Sequence, residues 1–437
     1  MTNCTQKSHR FSSLNRKKMI ANFKGGSIGS DGGLLLLREM DKQIGLTKKI
    51  SKVFNDDRHQ SYVEHSILHL LKQRTYAIAA GYEDINDHDF LRKDSCFQLS
   101  VGREVNLASS ATLSRFENSI DKKTVVEMSK VLVKHFISKH KSAPKELILD
   151  FDPTDNRIYG HQDKRHYHGY YRDYCYLPLH VFCGDHLLVS MLRPSDIDGS
   201  MYSGAILKFL VKRFREVWPG VKIIFRGDSA FARKRILHWC ENNDVEYIIG
   251  ISGNSRLQKL SAATIKKAEK RFEKTKENQK IFTGFYYKAD SWKQERRVVV
   301  KVEKNDKGTN TRFLVTNKKE TPETIYNYHY CPRGDMENKI KQLKLDLHSD
   351  RNSCHDFYSN YFRVLLSSIA YILVTELKYN ALKKTSLAKA YCGTIQLKLF
   401  KIGVMILKNS RSIKFLLASH HPYQNEFLSA AQSLVPS

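Results

Sequence analysis

The chain has 437 residues, of which 41% are hydrophobic, so it is long enough to bury more than one core. Its 73 Lys and Arg outnumber 45 Asp and Glu, and the formal net charge of +28 favours a polyanionic partner such as nucleic acid. None of the eight cysteines forms a CxxC pair, which argues against a zinc ribbon or a disulfide framework. We expect no signal peptide and no membrane-spanning run.

The first third of the chain predicts a basic arm followed by helices. Residues 1–30 contain six Lys or Arg and no acid, which is typical of a flexible arm. Residues 31–143 are expected to form a helical domain. Apolar residues recur there at helical spacing in three stretches, Leu34–Met40, Val63–Leu71 and Val125–Ile137. The segment Ser109–Arg115 fits either a DNA-reading helix or an ordinary capped helix of a bundle.

After Pro144 the pattern changes to that of a mixed sheet in residues 144–253. Apolar runs predict strands at Glu146–Asp152, Tyr176–Cys183, His186–Leu192, Val221–Arg226 and Val245–Ile251. Amphipathic helices are predicted between them at Tyr202–Trp218 and Ala232–Asn242. Three strands followed by helix, strand, helix and strand predict the α/β class, with a mixed sheet flanked by helices.

The remaining residues are expected to interrupt and then complete this domain. Residues 254–328 predict an inserted, mainly β subdomain, because IFTGFYYKA, RVVVKVE and RFLVT all have strand character. Residues 329–380 return to helices and are expected to complete the sheet domain. Residues 381–437 predict a basic helical region, including a helix at Leu397–Leu407.

Four polar residues near position 335 form the most informative motif, namely Tyr330, Arg333, Glu337 and Lys344. Their spacings of three, four and seven follow the helical period, so on one continuous helix they would share a face. A core-facing stripe would be apolar. A carboxylate flanked by an aromatic ring and two cations suits a metal-bound phosphodiester instead.

Metal-dependent phosphodiester cleavage also needs carboxylates that converge from different elements. Asp152 ends the first predicted strand, Asp228 follows the fourth, and Glu337 belongs to the motif. Each acid alone has an ordinary explanation, as a turn cap, a helix cap or an ion pair with Lys341. Asp150 competes with Asp152, because residues two apart face the same side of a strand. We prefer Asp152, which lies where the strand passes into a loop.

With these residues together, the sequence resembles the DDE transposases of bacterial insertion sequences. The resemblance is to the "transposase DDE domain group 1" type, marked by Y-x2-R-x3-E-x6-K, and it runs over nearly the whole chain. It includes SDGGLLLLREMD (30–41), LDFDPTD (149–155) and YCPRGDMENKIKQLKLDLHSDR (330–351). One departure is Gly227, where an alanine is expected before the second aspartate.

The resemblance implies a ribonuclease H-like catalytic core, with residues 144–253 as its first part and residues 329–380 as its second. It implies that Asp152, Asp228 and Glu337 bind two Mg²⁺ ions, for which Mn²⁺ can substitute.

It also implies that Arg333 and Lys344 hold phosphates and that Tyr330 packs or hydrogen-bonds beside them. Trp292, in the β insertion, is either a stacking platform for a flipped base or a residue packed in a small β core.

The implied function is DNA transposition. The protein would bind the terminal inverted repeats of its element through the N-terminal helical region and the basic ends, cleave there, and join the 3′-hydroxyls to target DNA. A homodimer is expected in the synaptic complex, working on double-stranded DNA in the bacterial cytoplasm with no membrane partner. Two alternatives remain: a structure-selective nuclease of the same fold, and a catalytically silent DNA-binding protein descended from a transposase.

Overall fold

A computed structural model describes residues 8–435 of the chain. The start of the predicted basic arm, residues 1–7, and residues 436–437 lie outside the described residues. The strands are β1 (His9–Leu14), β2 (Lys17–Ala21), β3 (Ile28–Gly29), β4 (Glu146–Pro153), β5 (Asn156–Arg157), β6 (His166–His168), β7 (Asp173–Tyr176), β8 (Leu179–Cys183), β9 (His186–Met191), β10 (Lys222–Gly227), β11 (Glu246–Ile251), β12 (Gln279–Tyr287), β13 (Arg296–Asn305), β14 (Gly308–Thr316), β15 (Val404–Lys408) and β16 (Ile413–Leu417). The α-helices are α1 (Leu34–Ile44), α2 (Leu46–Ser51), α3 (Ile67–Ala79), α4 (His88–Leu91), α5 (Ser95–Val101), α6 (Ser110–Asn118), α7 (Lys122–Ser138), α8 (Ser203–Val217), α9 (Lys234–Asn242), α10 (Ser255–Thr275), α11 (Pro322–Thr324), α12 (Asp335–Lys341), α13 (Phe357–Ala381), α14 (Cys392–Ile395) and α15 (Gln424–Leu434).

The chain forms two compact units. One contains Met1–Glu117 and Ile369–Ser437, and the other contains Asn118–Ser368. This division differs from the six predicted segments, because helix α7 lies in the second unit although its residues were predicted to belong to the N-terminal helical domain.

The second unit is built on an eight-stranded mixed sheet with the order β12-β13-β14-β11-β10-β4-β8-β9. Strand β4 pairs in parallel with β10 and antiparallel with β8, while β10 pairs in parallel with β11. Apolar residues of β4 and β10 pack with α8 and α9 in a large core on one face of the sheet. This arrangement confirms the predicted α/β class and the mixed sheet flanked by helices.

The three strands of residues 254–328 belong to this same sheet, which corrects the prediction of an inserted subdomain. Strand β14 pairs antiparallel with β11, and β13 and β12 follow outward from it. The physical reason is that β11 would otherwise present an open edge of unpaired backbone groups. The strand character of the segment was predicted, but a sequence pattern does not reveal which edge a strand joins.

The first unit contains helices α1–α6 and a three-stranded sheet with the order β16-β15-β3. Within the predicted basic arm, β1 and β2 form a hairpin and β3 pairs with β15, so residues 9–21 and 28–29 have regular backbone pairing. Asn15 and Arg16 at the hairpin turn both have positive φ angles, 47° and 70°, as tight hairpin turns require.

The predicted helix at Leu397–Leu407 is also wrong beyond its first turn. A π-helical turn ends at Phe400, and β15 begins at Val404. Residues 404–408 pair with β16 and, at their start, with β3, which lies more than 370 positions earlier in the chain. Pairing over that separation overrides the local helical pattern.

Helix α13 corrects the expectation that no run could span a membrane. By length and composition it is the one helix in the described residues that could, with a mean hydropathy of 1.2. However, 94% of the most apolar 18-residue stretch of this helix is buried inside the structure, as in the core helix of a folded protein.

Candidate functional site

Strand β4 carries the first predicted acid because its side chains alternate between two faces of the sheet. Leu147, Leu149 and Phe151 are buried on the face that packs against α8 and α9. The alternate residues, including Asp150 and Asp152, therefore lie on the opposite face. The helical segment that contains the four-residue motif packs on this second face, where Ile325 and Tyr326 join a smaller apolar core.

Asp150 has a buried partner within the sheet, which bears on the choice between Asp150 and Asp152. It accepts two hydrogen bonds from Arg226, which lies opposite it in the parallel β4–β10 register. The same guanidinium donates to the backbone carbonyl of His329, just before the motif begins. Asp150 therefore anchors the motif segment to the sheet, and Asp152 is the acid that faces the predicted site residues. Sequence reasoning missed Arg226, although an arginine in an apolar strand signals a buried partner.

Asp228 lies beside Asp152 because their strands are parallel neighbours. Gly227 at the end of β10 is paired with Phe151 of β4, so the next residue of each strand lies at the same end of this strand pair. Asp152 is still part of β4, whereas Asp228 follows β10. The Asp228 Oδ1 atom accepts a 2.9 Å hydrogen bond from the Ala230 backbone and so caps a short 3₁₀ turn, Ser229–Phe231. The capping role considered from the sequence is thus present, and it uses one carboxylate oxygen.

Gly227 departs from the expected alanine for a local steric reason. A Cβ atom built on Gly227 would lie 2.7 Å from Cδ2 and 3.1 Å from Cγ of Phe231. The Phe231 ring is fully buried and packs edge-on against Phe151 and Phe225. The ring therefore occupies the space that an alanine methyl group would need.

The motif segment is helical but not one regular α-helix, which corrects the premise of the sequence prediction. A π-helical stretch, Ile325–Tyr330, passes through a 3₁₀ turn, Cys331–Gly334, into α12, and a second π-helical stretch, Gln342–Asp346, follows. Pro332 lies inside the 3₁₀ turn, where its missing N–H and fixed φ angle are tolerated.

Three motif side chains lie against residues at or just beyond the ends of β4, β10 and β11. Arg333 donates a 2.8 Å hydrogen bond from Nη2 to Oδ1 of Asp152. Lys344 donates a 2.6 Å hydrogen bond from Nζ to the backbone carbonyl of Asp155. The Tyr330 hydroxyl lies against Gly250, where a Cβ atom would be 3.1 Å from it and 3.4 Å from the Asp228 carbonyl carbon.

The pKa of Asp152 is shifted by burial and by the charged residues around it. Burial raises the pKa of Asp152 to about 7, the charge of Arg333 opposes this rise, and the carboxylates of Asp228 and Glu337 add to it. The Asp152 side chain is only 15% exposed, whereas Glu337 is on the surface. Burial lowers the pKa of Arg333, but the charges of Asp152, Tyr330 and Asp228 raise it above its usual value.

The side chains of these residues are of the types that bind a divalent cation, but in this structure they do not form a complete set of metal ligands. Within residues 8–435, no three His, Cys, Asp or Glu side chains are grouped closely enough to hold a metal ion. Carboxylate oxygens are the donors that Mg²⁺ prefers, and the repulsion that Asp152 experiences from its two neighbours is what a divalent cation would relieve. In this arrangement Arg333 neutralises part of that charge.

Trp292 is packed among other side chains, as in the second of the two predictions made for it. Its indole is 6% exposed, and it packs edge-on against Tyr287 with ring centroids 5.7 Å apart. The Arg296 guanidinium lies 5.0 Å from its ring centroid. A base-stacking role would require the indole to leave this packing, so that role stays a prediction.

Comparison with known proteins gives a family and likenesses to solved structures. The family model described as "Transposase DDE domain group 1" matches residues 11–437. None of the curated proteins compared with the chain gives a significant match. Among solved structures, the chain is similar to a piggyBac transposase synaptic complex with hairpin DNA, determined by cryo-EM, with 12% sequence identity and a TM-score of 0.41 over 85% of this chain and 80% of that one.

Proposed function

The chain belongs to the transposase DDE domain group 1 family, and on that premise we propose that it is the transposase of an insertion sequence. It binds the terminal inverted repeats of its element, cleaves at the element ends, and joins the 3′-hydroxyls to target DNA. The observation that best supports this proposal is that Asp152 and Asp228 lie at the same end of the paired strands β4 and β10, where Arg333 of the motif donates a hydrogen bond to Asp152.

The proposed catalytic core is ribonuclease H-like. Strands β4, β8 and β9 are successive antiparallel neighbours, and β10 and β11 continue the sheet in parallel on the other side of β4. Three antiparallel strands followed by two strand–helix repeats are the arrangement expected of such a core. Because β4 and β10 are adjacent, their ends bring two of the proposed catalytic acids to one edge.

Asp152, Asp228 and Glu337 are the residues that would hold two Mg²⁺ ions, or Mn²⁺ in their place. When bound, the metal pair would supply Lewis-acid activation of the attacking oxygen and stabilisation of the leaving oxygen. Without DNA, the Arg333 guanidinium keeps the Asp152 carboxylate partly neutralised at 2.8 Å.

Arg333 and Lys344 would hold the phosphates next to the cleavage point. Both side chains are largely buried at the strand ends, where a cation attracts a phosphate more strongly than in bulk water. Their contacts with Asp152 and the Asp155 carbonyl orient them toward that edge of the sheet. Tyr330, which packs beside Gly250, would bound the site on the Asp228 side.

The proposed partner is double-stranded DNA, at the inverted repeats and at the target. The net charge of +28 supports a polyanionic ligand, because phosphate neutralisation dominates protein–DNA affinity. The N-terminal helical region and the basic ends would bind the repeats, and a homodimer would hold two ends together. The proposed place of action is the bacterial cytoplasm, at the nucleoid.

A strand-transfer assay tests this function. Duplexes from either side of the gene, ending in inverted repeats, would be incubated with the protein, Mg²⁺ and a supercoiled target plasmid. The proposal expects cleavage at the repeat ends and covalent joining to the plasmid. Cleavage without joining would identify a structure-selective nuclease, and binding without cleavage would identify a silent DNA-binding descendant.

A further inference from the structure

A groove of about 810 Å³ is lined by the start of α8, the start of α9 and the loops before them. None of the residues assigned to the proposed catalytic site lines it. Four cations and two aromatic residues give the groove its character: Lys208, Arg233, Lys234, Arg235, Tyr202 and Trp239. A basic wall beside aromatic rings is the composition that binds nucleotides without sequence preference.

The positive charge of the groove exceeds its negative charge. Arg233 is ion-paired with Asp198 and donates a 3.2 Å hydrogen bond to the Ser200 hydroxyl. Lys234 and Arg235 are exposed and make no ion pair with any other part of residues 8–435. These two cations are therefore available to phosphate groups, and a phosphate ligand would reduce their repulsion.

The groove also presents ring faces that could stack on a base. Of the three tryptophans, Trp218 and Trp292 are each only 6% exposed, whereas Trp239 is half-buried in the groove wall. Lys208 Nζ lies 5.8 Å from the Trp239 ring centroid, and Tyr202 is 53% exposed. Duplex DNA covers the faces of its own bases, so this lining favours a single strand.

The groove adjoins the proposed catalytic site through Gly199. A Cβ atom on Gly199 would lie 3.7 Å from Pro153 Cγ and 3.6 Å from Ala230 Cβ. Pro153 follows Asp152 directly, and the Ala230 backbone donates to Asp228. A DNA strand that extends from the proposed cleavage point could therefore enter the groove directly.

A buried arginine braces this loop and leaves one donor unfilled. Arg193 is 1% exposed, and its Nη1 donates to the carbonyls of Gly199 at 3.1 Å and Met201 at 2.7 Å. In the described residues its Nη2 has no hydrogen-bond partner. A buried guanidinium without a carboxylate partner adds positive charge behind the groove wall.

We propose that this groove binds the single-stranded DNA that adjoins the cleavage point, with phosphates against Lys234 and Arg235 and a base stacked on Trp239. The inference rests on the proposed function for the source of that strand, but its binding chemistry does not depend on catalysis.

Intrinsic fluorescence provides a direct test, because Trp239 is the tryptophan with an accessible ring. The full-length protein would be titrated in EDTA with single-stranded oligothymidylate of about eight nucleotides, within the usual site size of single-strand grooves. We expect quenching of the tryptophan emission, and we expect Trp239→Phe to lose the quenching while keeping affinity measured by anisotropy. Trp239→Ala should weaken binding about tenfold, the effect of losing one base stack. Unchanged quenching in Trp239→Phe would overturn the proposal.

A matched pair of charge reversals tests the binding of phosphates by these cations. The double variant Lys234→Glu/Arg235→Glu should weaken oligothymidylate binding and lower the salt slope by about 0.7 for each phosphate that the protein no longer neutralises. The control is Lys266→Glu/Lys267→Glu, two lysines of α10 outside the groove, which changes the net charge equally. Equal weakening by both double variants would contradict the proposal, and so would equal quenching by a duplex of the same length.

This experiment separates the inference from the proposed function. Binding in EDTA without metal reports on the groove alone. Trp239-dependent binding in a protein that neither cleaves nor joins DNA would uphold the groove and reject the transposase. Strand transfer by a protein without Trp239-dependent binding would uphold the transposase and reject the groove.

Discussion

Arg333 and Asp152, separated by 181 positions in the chain, form a 2.8 Å ion pair at the edge of the central sheet. Both side chains are about 85% buried, so this pair is shielded from solvent more than an ordinary surface pair. It links the first proposed metal ligand to the motif before DNA is bound. We propose an exchange of partners on DNA binding, in which a metal ion would bind the carboxylate and a phosphate would bind the guanidinium.

Substitution of Arg333 tests that exchange. Arg333→Ala should slow cleavage by about 10²–10³-fold, the usual loss when one positioned charge stabiliser is removed. Arg333→Lys should recover only part of the rate, because an ammonium lacks the planar fork that binds two phosphate oxygens. The measurement is single-turnover cleavage of pre-bound end duplex. Wild-type rates in Arg333→Ala would exclude a catalytic part for this residue.

The neighbouring acids Asp150 and Asp152 should respond to the same change by different amounts. Asp150→Asn leaves Arg226 buried without a charged partner and should lower the free energy of unfolding by about 3–5 kcal/mol. Asp152→Asn also deprives Arg333 of a partner, but it removes a carboxylate whose ionised form is disfavoured by burial and by Asp228 and Glu337, so its melting temperature should fall less than that of Asp150→Asn. Thermal and urea unfolding of both variants make the comparison.

DNA cleavage by the same two variants, Asp150→Asn and Asp152→Asn, should also differ. Asp152→Asn should be folded and inactive, whereas Asp150→Asn should retain cleavage at temperatures where it is folded. A stable, active Asp152→Asn would reassign the first ligand and reopen the choice of Asp150.

Gly227→Ala should destabilise the protein although alanine was the residue expected there. The added methyl group would meet the fully buried Phe231 ring at 2.7 Å, and overpacking of this kind typically costs about 1–3 kcal/mol. The matched control is Gly220→Ala, where a Cβ atom meets nothing within 4 Å. Urea unfolding should show a loss only at position 227. Equal stability of the two variants would mean that the Phe231 ring moves aside freely.

Added Mg²⁺ should raise the melting temperature of the wild-type protein, because a ligand that binds only the folded state stabilises it. Asp228→Asn and Glu337→Gln each remove one of the proposed ligands and should reduce that shift. Glu323→Gln, a change to an acid at the start of α11, is the control and should leave it unchanged. Equal shifts in all four proteins would place Mg²⁺ elsewhere on the molecule.

The sequence could predict the central strands and their acids because those features are local. Continuous apolar runs identified β4 and β10, and the loops after them fixed Asp152 and Asp228 near strand ends. The Asp150–Arg226 pair was not predictable, since it depends on the register between two strands 76 positions apart. The same limit applies to β14, whose pairing with β11 depends on tertiary hydrogen bonding rather than on its own pattern.

The four-residue motif was identified from its helical spacing, although the segment that carries it is not one continuous α-helix. A regular α-helix was the premise, yet π-helical and 3₁₀ turns carry Tyr330 and Arg333 to the strand ends. Hydrogen bonds to Asp152 and Asp155 hold the segment there. The burial of Trp292 likewise depends on Tyr287 and Arg296, which its own sequence neighbourhood did not identify as partners.

The most direct test of the three-acid site is Mg²⁺-dependent cleavage of an inverted-repeat duplex by Asp228→Asn, with duplex binding measured on the same sample. We predict wild-type end binding and no detectable cleavage, because the fold and the basic surface remain while one proposed metal ligand is lost. Cleavage by this variant at the wild-type rate would contradict the account by removing Asp228 from the reaction.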